Sequence, residues 1–542
     1  MSMSIKPAEQ YKQFRAPAEN GQILCEPKWR SLISLVTANC QQRSGTTTEL
    51  FGQPLSKLAS HAQQALLQAA LDYTQTYTET ASLKPSTSPL IVTGHQPDLV
   101  HAGVWLKNFA AAQLAEQMGG TAINLIIDSD LCRSPSVSTP SGSVENPHVE
   151  TIAYDQVTKE IPFEERLIRD QTLWQSFGKR VSQAIQPLVD EPLISQWWQK
   201  TVLQSDCQHI GNSIAQARHR LELQWGSRSL EIPQSRICQT TPFRLFANHL
   251  LVNAAKVHDA YNHALAEYRQ AHRLRNHAQP VPDLAEMDGW IETPFWIWTT
   301  DNPQRRALFV QVKKESVELT NQKDLSLSLP ITADSDPSQA LQQMATWEGQ
   351  GIKIRTRALV TTMYTRLFLA DLFVHGIGGA KYDQVTDAFC HRLFGFSPPA
   401  YATLSGTLRL PIDHETYSAQ SQSVCRKKLR EMTYHPDTEI AELSLDDASA
   451  SEIAELLKKK KIWVHTTKTP ENASERHQSI TSVNQALQPW LAPQRAILET
   501  ELAQSEQRIL ANQLLESREY PFCLFSRETL CNFLLDFSSR ML

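Results

Sequence analysis

Three short segments of the sequence carry side chains able to do chemistry. The first, Thr93-Gly94-His95-Gln96-Pro97-Asp98-Leu99-Val100-His101-Ala102-Gly103, sets two imidazoles between glycines. Imidazole can donate to phosphate oxygens, and glycine lets backbone N–H groups come close to an anion. Either histidine can also serve as a capping or loop hydrogen-bond residue. The second segment is Asp128-Ser129-Asp130. A carboxylate there can bind ribose hydroxyls, hold Mg²⁺ or take a proton, and can equally cap a helix or close an Asx-turn. The third is His375-Gly376-Ile377-Gly378-Gly379-Ala380-Lys381-Tyr382-Asp383. Its glycines free the backbone for an anion, and Lys381 supplies charge. It is not a Walker A loop, since the Gly-Lys-Ser/Thr order is missing. A cluster of this kind also fits a tight crossing between two helices. The candidate catalytic residues are therefore His95, His101 and Asp128. Candidates for holding an anionic cofactor are Gly94, Gly103, Asp130, His375, Gly376, Gly378, Gly379 and Lys381. A further basic group, Arg269, His272, Arg273, Arg275 and His277, reads as a solvated face.

The elements around these segments set their positions. Leu90-Ile91-Val92 predicts a short buried strand ending at Thr93-Gly94, Val104–Met118 a helix, and Ala122–Ile127 a second strand closing on Asp128. Strand, turn, helix, Gly119-Gly120, strand is a βαβ unit, the building block of a doubly wound parallel sheet. In such sheets ligands bind beyond the carboxyl ends of the strands, where helix N-termini attract anions. A helix is expected from Leu55 to about Tyr77, before the loop Lys84–Pro89. Residues 133–150 read as Ser/Pro-rich loop, and 160–275 as a mainly helical insertion that includes Phe243–Arg275. Strand patterns return at Thr293–Trp298, Leu308–Val312 and Ile352–Ile354. Thr361–Val374 reads as a helix, Asp383–Phe394 as another, and Tyr401–Leu410 as a strand. The division expected is 1–85 helical and extended, 86–150 the first part of the sheet domain, 151–285 the insertion, 286–412 its second part, and 413–542 mostly helical.

The 542 residues leave room for several domains at about 150 residues each. With 41% apolar and 20% charged residues, the composition excludes a disordered or collagen-like chain. The net charge of −5 is mild and favours solubility, and no long basic stripe argues for nucleic acid, which is not expected as a partner. Lys458–Lys461 reads as a solvated helix end. The nine cysteines include no CxxC pair, so neither a disulfide framework nor a zinc site is indicated. No apolar run reaches membrane-spanning length and the start has no signal-peptide pattern, so the expected location is cytoplasmic. Glycine is scarce, at 19, and uneven. Two windows, Gly94–Gly120 and Gly376–Gly406, hold the segments described above, and none follows Gly406. The windows are expected to form two rims of one cleft. The glycine-free tail is expected to be helical scaffold and dimer contact, its last long helix bounded by Pro489 and Pro493.

Taken in order, these segments resemble the bacillithiol biosynthesis cysteine-adding enzyme family (BshC), as a diverged branch. Thr93-Gly94-His95-Gln96-Pro97 is similar to the family's Thr-Gly-Gln-Gln loop, with Gly103 where its next glycine falls. Asp128-Ser129-Asp130 stands where the family has an acidic stretch. Arg357-Ala358-Leu359 with the helix after it, then Gly378-Gly379 and Tyr382, resembles an Arg-rich helix and a Gly-Gly-Pro segment. Pro398-Pro399 and Leu404-Ser405-Gly406-Thr407 resemble the motif that closes the core. His101-Ala102-Gly103-Val104 is also similar to the His-x-Gly-His of adenylyl-transferring enzymes, without the second histidine.

The resemblance implies a Rossmann-like core related to nucleotidylyl transferases, helical connecting segments, and a C-terminal coiled coil that makes a homodimer. It implies a carbon–nitrogen ligase that joins cysteine to the amine of an amino sugar, with ATP or ADP at the core. Amide formation needs an activated carboxyl group, for which His95, His101 and Lys381 would donate to phosphate oxygens. Asp128 or a histidine would serve as base. The sequence departs from the family where Gln becomes His95, where Asp128-Ser129-Asp130-Leu131-Cys132 lacks a histidine, and where His375-Gly-Ile-Gly-Gly replaces Gly-Gly-Pro. The alternatives are a nucleotidylyl transferase and a non-catalytic ligand-binding homologue.

Overall fold

The computed structural model describes residues 11–79, 85–276, 278–414, 419–441, 443 and 446–537. Lys84 and His277 lie outside them. The chain forms two compact units, the first of residues 1–139, 150–411 and 518–542, the second of 140–149 and 412–517.

In the first unit the strands are β1 (Ile23–Glu26), β2 (Leu90–His95), β3 (Thr121–Ile126), β4 (Ser229–Pro233), β5 (Trp290–Thr299), β6 (Arg306–Val312), β7 (Val317–Thr320), β8 (Ser326–Leu329), β9 (Ile352–Thr356), β10 (Leu372–His375) and β11 (Tyr401–Gly406). Six of them make a mostly parallel sheet in the order β1-β11-β10-β2-β3-β4, with only β1 antiparallel. Counted along the chain, the five parallel strands lie in the order 3-2-1-4-5, so the winding reverses between β2 and β10. A second, antiparallel sheet is built from β5 to β9 with the short strand Glu286–Met287.

The helices used below are α1 (Leu32–Ser44), α2 (Leu55–Gln75), α3 (Ala102–Gln117), α4 (Ile210–Gln224), α5 (Thr241–Val252), α6 (Ala254–His272), α7 (Ala358–Tyr364) and α8 (Ile377–Phe394). β3 is buried along its whole length, as an apolar strand covered on both faces must be. Leu90, Val92, Ile123, Leu125, Leu230 and Ile232 enter one continuous core with α2, α5, α6 and α7. α3 packs on β2, β3 and β11.

The second unit is helical, with α9 (Ala419–Tyr434), α10 (Asp447–His465), α11 (Ala473–Ala486) and α12 (Gln488–Leu515). Its core is Met432, Ile440, Ile453, Val483, Leu487 and Leu491. Pro489 sits in the first turn of α12, whereas Pro493 lies inside it rather than bounding it. Among the described residues, no helix is long and apolar enough to cross a membrane.

Several expected elements differ. Thr361–Val374 is not one helix: α7 runs into a π-helical turn, Thr365–Leu369, and the chain then becomes β10. The glycine segment after it is thus a strand-to-helix turn, not a crossing between helices, and α8 begins at Ile377 rather than Asp383. The loop expected at 133–150 contains strands Ser136–Gly142 and Pro147–Ala153. The stretch expected to be mainly helical supplies β4 to the central sheet.

Candidate functional site

Because β2 and β10 are adjacent and parallel, with Val374 opposite Thr93, the two glycine segments leave the sheet side by side. After β2 the chain turns towards α3, and after β10 it turns into α8. Gly94 approaches the neighbouring strand closely: a Cβ there would lie 3.2 Å from the Leu125 carbonyl oxygen. Gly103 is tighter still, since a Cβ would fall 2.0 Å from the Gly406 carbonyl oxygen. That contact ties the start of α3 to the end of β11. Added side-chain atoms at Gly376 would reach only the Lys107 stem, 3.9 Å away, and at Gly378 would meet nothing within 4 Å. A Cβ at Gly379 would lie 2.6 Å from His375 Nδ1.

The residue that joins the two segments is Lys107, on α3. Its Nζ donates to the Gly94 carbonyl at 2.8 Å, and its stem passes Gly376. The side chain is 3% exposed. That carbonyl is its sole hydrogen-bond partner among the described residues, so two ammonium donors are unused. Burial, reinforced by Arg218, pushes its pKa down to about 7. The same charge acts on His95, His101 and His375, lowering the pKa of each. The three histidines marked in the sequence therefore surround a lysine that was passed over.

His95 is buried with both ring nitrogens engaged. Nδ1 is 2.9 Å from the Gln96 carbonyl and Nε2 is 2.9 Å from Arg218 Nη1. Arginine can only donate, so Nε2 accepts and the ring is neutral with Nδ1 protonated. Burial first, then Arg218 and Lys107, holds its pKa well below the ordinary value. Arg218 is in turn fixed by Glu231 and by Glu222 at 3.1 Å, all three buried. Trp105 Nε1 and Asn108 donate to Glu222 at 2.5 and 2.8 Å, and Asn124 donates to Glu231 at 2.6 Å. This network locks α4 to α3 and to the middle of β3 and β4.

His375 ends β10. Its Nε2 donates to Asp383 Oδ2 at 2.7 Å, and that oxygen also accepts from Arg366 Nη1 at 2.8 Å. Arg366 is held by Asp387 at 2.7 Å and by the Pro399 carbonyl. Burial alone would raise the Asp383 pKa, but Arg366 and His375 hold it well below the usual carboxylate range. The Phe373 and Tyr401 rings pack edge-on against the imidazole.

The remaining candidates are dispersed. His101 precedes α3 and meets the segment after residue 517: its Nε2 lies 3.5 Å from Arg518 and 3.8 Å from Glu519. Burial outweighs the opposing charge of Glu519 and, with smaller contributions from Arg518 and Lys107, lowers its pKa to about 4. Asp128 has both oxygens taken by the backbone N–H and hydroxyl of Ser235. Asp130 is half-exposed and bound by Gln96 and by Arg305 at 3.1 Å. Arg305 lies on the Trp296 ring at 4.6 Å, and Arg357 lies on the same ring at 4.0 Å. Lys381 sits one turn into α8, exposed, near enough to His272 to lower its pKa alongside burial. A cavity of about 610 Å³, lined in part by Arg15, Asn20, Gly21 and Gln22, borders the end of β11, where Gly21 N donates to the Thr407 carbonyl at 2.7 Å. Among the described residues, no group of three or more His, Cys, Asp or Glu side chains is placed to hold a metal ion.

Lys107 and Arg218 were missed by the sequence reading. The signal for the lysine was present: Lys107-Asn108 is the one polar pair within the otherwise apolar run from Val104 to Ala112. Arg218 has one partner on its own helix, Glu222, but His95 and Glu231 lie on strands, so nothing local marks its place in the site. No family model matches the chain, and no curated protein matches it in sequence.

Proposed function

We propose that this chain is a BshC-like ligase. In this reading it holds the phosphates of ATP or ADP between the carboxyl ends of β2 and β10, and joins cysteine, or a related small carboxylate, to an amino-sugar acceptor in low-molecular-weight thiol biosynthesis. The strand order 3-2-1-4-5 is that of Rossmann-like, doubly wound sheets, whose ligands sit at the point where the winding reverses. The observation that carries the reading is Lys107. A buried ammonium group with unused donors is costly unless an anion meets it, and this one lies at the reversal point between two glycine segments. Gly376 and Gly378 leave room beside it. Lys107 and the first backbone N–H groups of α8 would hold the phosphates, and the bound nucleotide would supply the activation that a carboxylate lacks. His95 keeps the first loop in place through Gln96 and Arg218, and His101 does the same at the start of α3.

The guanidinium pair on Trp296, beside Asp130, favours a second reading, a nucleotidylyl transferase with a phosphorylated acceptor. Cytoplasmic location and a homodimer through the helical unit belong to the same proposal. Tyr434, Ile462, Ile497 and Leu510 of that unit are exposed apolar side chains.

Calorimetric titration with ATP and ADP tests the reading. Binding is expected, weakened at least tenfold by Lys107→Met, and a wild type without measurable affinity for either nucleotide overturns it. Pyrophosphate release with a phosphorylated acceptor, and none with cysteine, would select the second reading.

A further inference from the structure

His375 is 4% exposed, and its Nε2–H is committed to Asp383. With that proton on Nε2, the neutral ring carries its lone pair on Nδ1, which has no hydrogen-bond partner among the described residues. Glycine at 379 lets the first turn of α8 pass close to Nδ1, for a β-carbon there would stand 2.6 Å away and collide with the ring. Three contacts fix the ring: the edge-on rings of Phe373 and Tyr401, and the carboxylate of Asp383, itself pinned by Arg366. Tyr401 is anchored by its hydroxyl, which donates to the Ala380 carbonyl at 3.1 Å. An unpartnered basic nitrogen, oriented by a buried carboxylate at the carboxyl end of a central strand, has the arrangement of a general base.

We propose that His375 Nδ1 accepts the proton from the attacking amine of the acceptor, with Asp383 and Arg366 as positioning residues. The inference rests on the ligase reading above. The amine nitrogen attacks the carbonyl carbon of an acyl phosphate or acyl adenylate formed from the carboxylate substrate and ATP. The C–N bond forms and the bond from that carbon to the bridging phosphate oxygen breaks, its electron pair leaving with phosphate or AMP. The N–H proton passes to Nδ1, and the imidazolium formed faces the negative charge of Asp383. Lys107, on the helix α3 that follows the other glycine segment, is left to the leaving phosphate. Burial keeps the imidazole neutral at pH 7, the form this role requires.

Two measurements on the full-length protein test the role. With ¹⁵N-labelled histidine, long-range ¹H–¹⁵N spectra at pH 7 should show His375, assigned by its loss in His375→Asn, with Nε2 protonated and Nδ1 bare. A protonated Nδ1 overturns the proposal whether or not activity is found. The second is product formation from ATP, Mg²⁺ and cysteine with either glucosamine or hydroxylamine as the amine. Hydroxylamine is already neutral at pH 7 and sheds its proton readily, so it depends little on a base. In His375→Asn and His375→Gln the glucosamine amide should fall at least ~100-fold, and the hydroxamate by less than ~10-fold. Unchanged glucosamine amide in these variants overturns the role alone. No product from the wild type with either amine overturns the ligase reading, and the role with it.

Discussion

Lys107→Met replaces the buried ammonium with an apolar chain of similar length, and its effect on stability should depend on pH in a defined direction. The lysine pKa falls from 10.5 to about 7 on folding, chiefly through burial. Between those values the unfolded chain binds the proton more tightly, so the stability of the wild type rises with pH across that window. Below pH 7 the lysine is charged in both states and the whole cost of burying it, about 5 kcal/mol, is present. The variant has no such group and loses one hydrogen bond, to the Gly94 carbonyl, worth about 1.5–3 kcal/mol. Lys107→Met should therefore be the more stable protein at pH 6, by roughly 2 kcal/mol. The wild type should regain about 2 kcal/mol relative to it between pH 7 and 9. Paired urea unfolding curves at pH 6, 7, 8 and 9, followed by tryptophan fluorescence, give the difference directly. A difference that stays constant across this range would refute the depressed lysine, and with it the argument that the site awaits an anion.

Other consequences can be measured in the same proteins. If phosphates neutralise the burial cost of Lys107, ATP binding at pH 8 should take up a fraction of a proton, seen as a dependence of the calorimetric heat on the ionisation enthalpy of the buffer; Lys107→Met should abolish that dependence. Gly103→Ala puts a β-carbon 2.0 Å from the Gly406 carbonyl oxygen, where backbone must move, and should cost more than ~1–3 kcal/mol in chemical unfolding despite the better helix former. Arg218→Met strands the carboxylates of Glu222 and Glu231 and should cost about 3–5 kcal/mol at pH 7. Burial raises the pKa of Glu231, so as that carboxylate protonates the loss should shrink at pH 5. Ile497→Glu with Leu510→Glu should convert a dimer to a monomer in light scattering, whereas a wild type already monomeric at high concentration refutes the dimer.

The βαβ unit was legible because its signals are local: Leu90–Val92 is apolar, Ala122–Ile127 is apolar but for Asn124, and Gly119-Gly120 closes the helix between them. β10 was not. Its residues follow the apolar Leu367–Ala370 after the single Asp371, and short runs of this kind read equally as buried helix or buried strand. β4, Ser-Leu-Glu-Ile-Pro, was hidden by Glu231, a charge that lies in a strand because Arg218, Asn124 and Tyr77 meet it there. The glycine windows pointed to the right pair of loops, since close approach leaves its mark on composition. The role of each residue did not follow. Asp128 looks like any strand-end carboxylate until Ser235 is seen to occupy both its oxygens, and Lys107 looks like a solvated helix residue until the helix is seen to be buried on nearly all sides.

The first unit closes only with a segment made after all of the second. Phe522 N donates to the Val100 carbonyl at 2.8 Å, Pro521 pairs with His101, the Phe522 ring lies tilted against Trp105 at 4.3 Å, and Phe533 fills the space beside Gly406. During synthesis the sheet and α3 are complete long before residues 518–537 exist, so His101, near the end of the first glycine segment, and Trp105 spend that interval without these neighbours. A ribosome that stalls before residue 518 would release a chain with an intact sheet and an unfinished site. Full competence of the site then reports that translation has passed this point, a form of timing written into the order of the elements rather than into any single side chain.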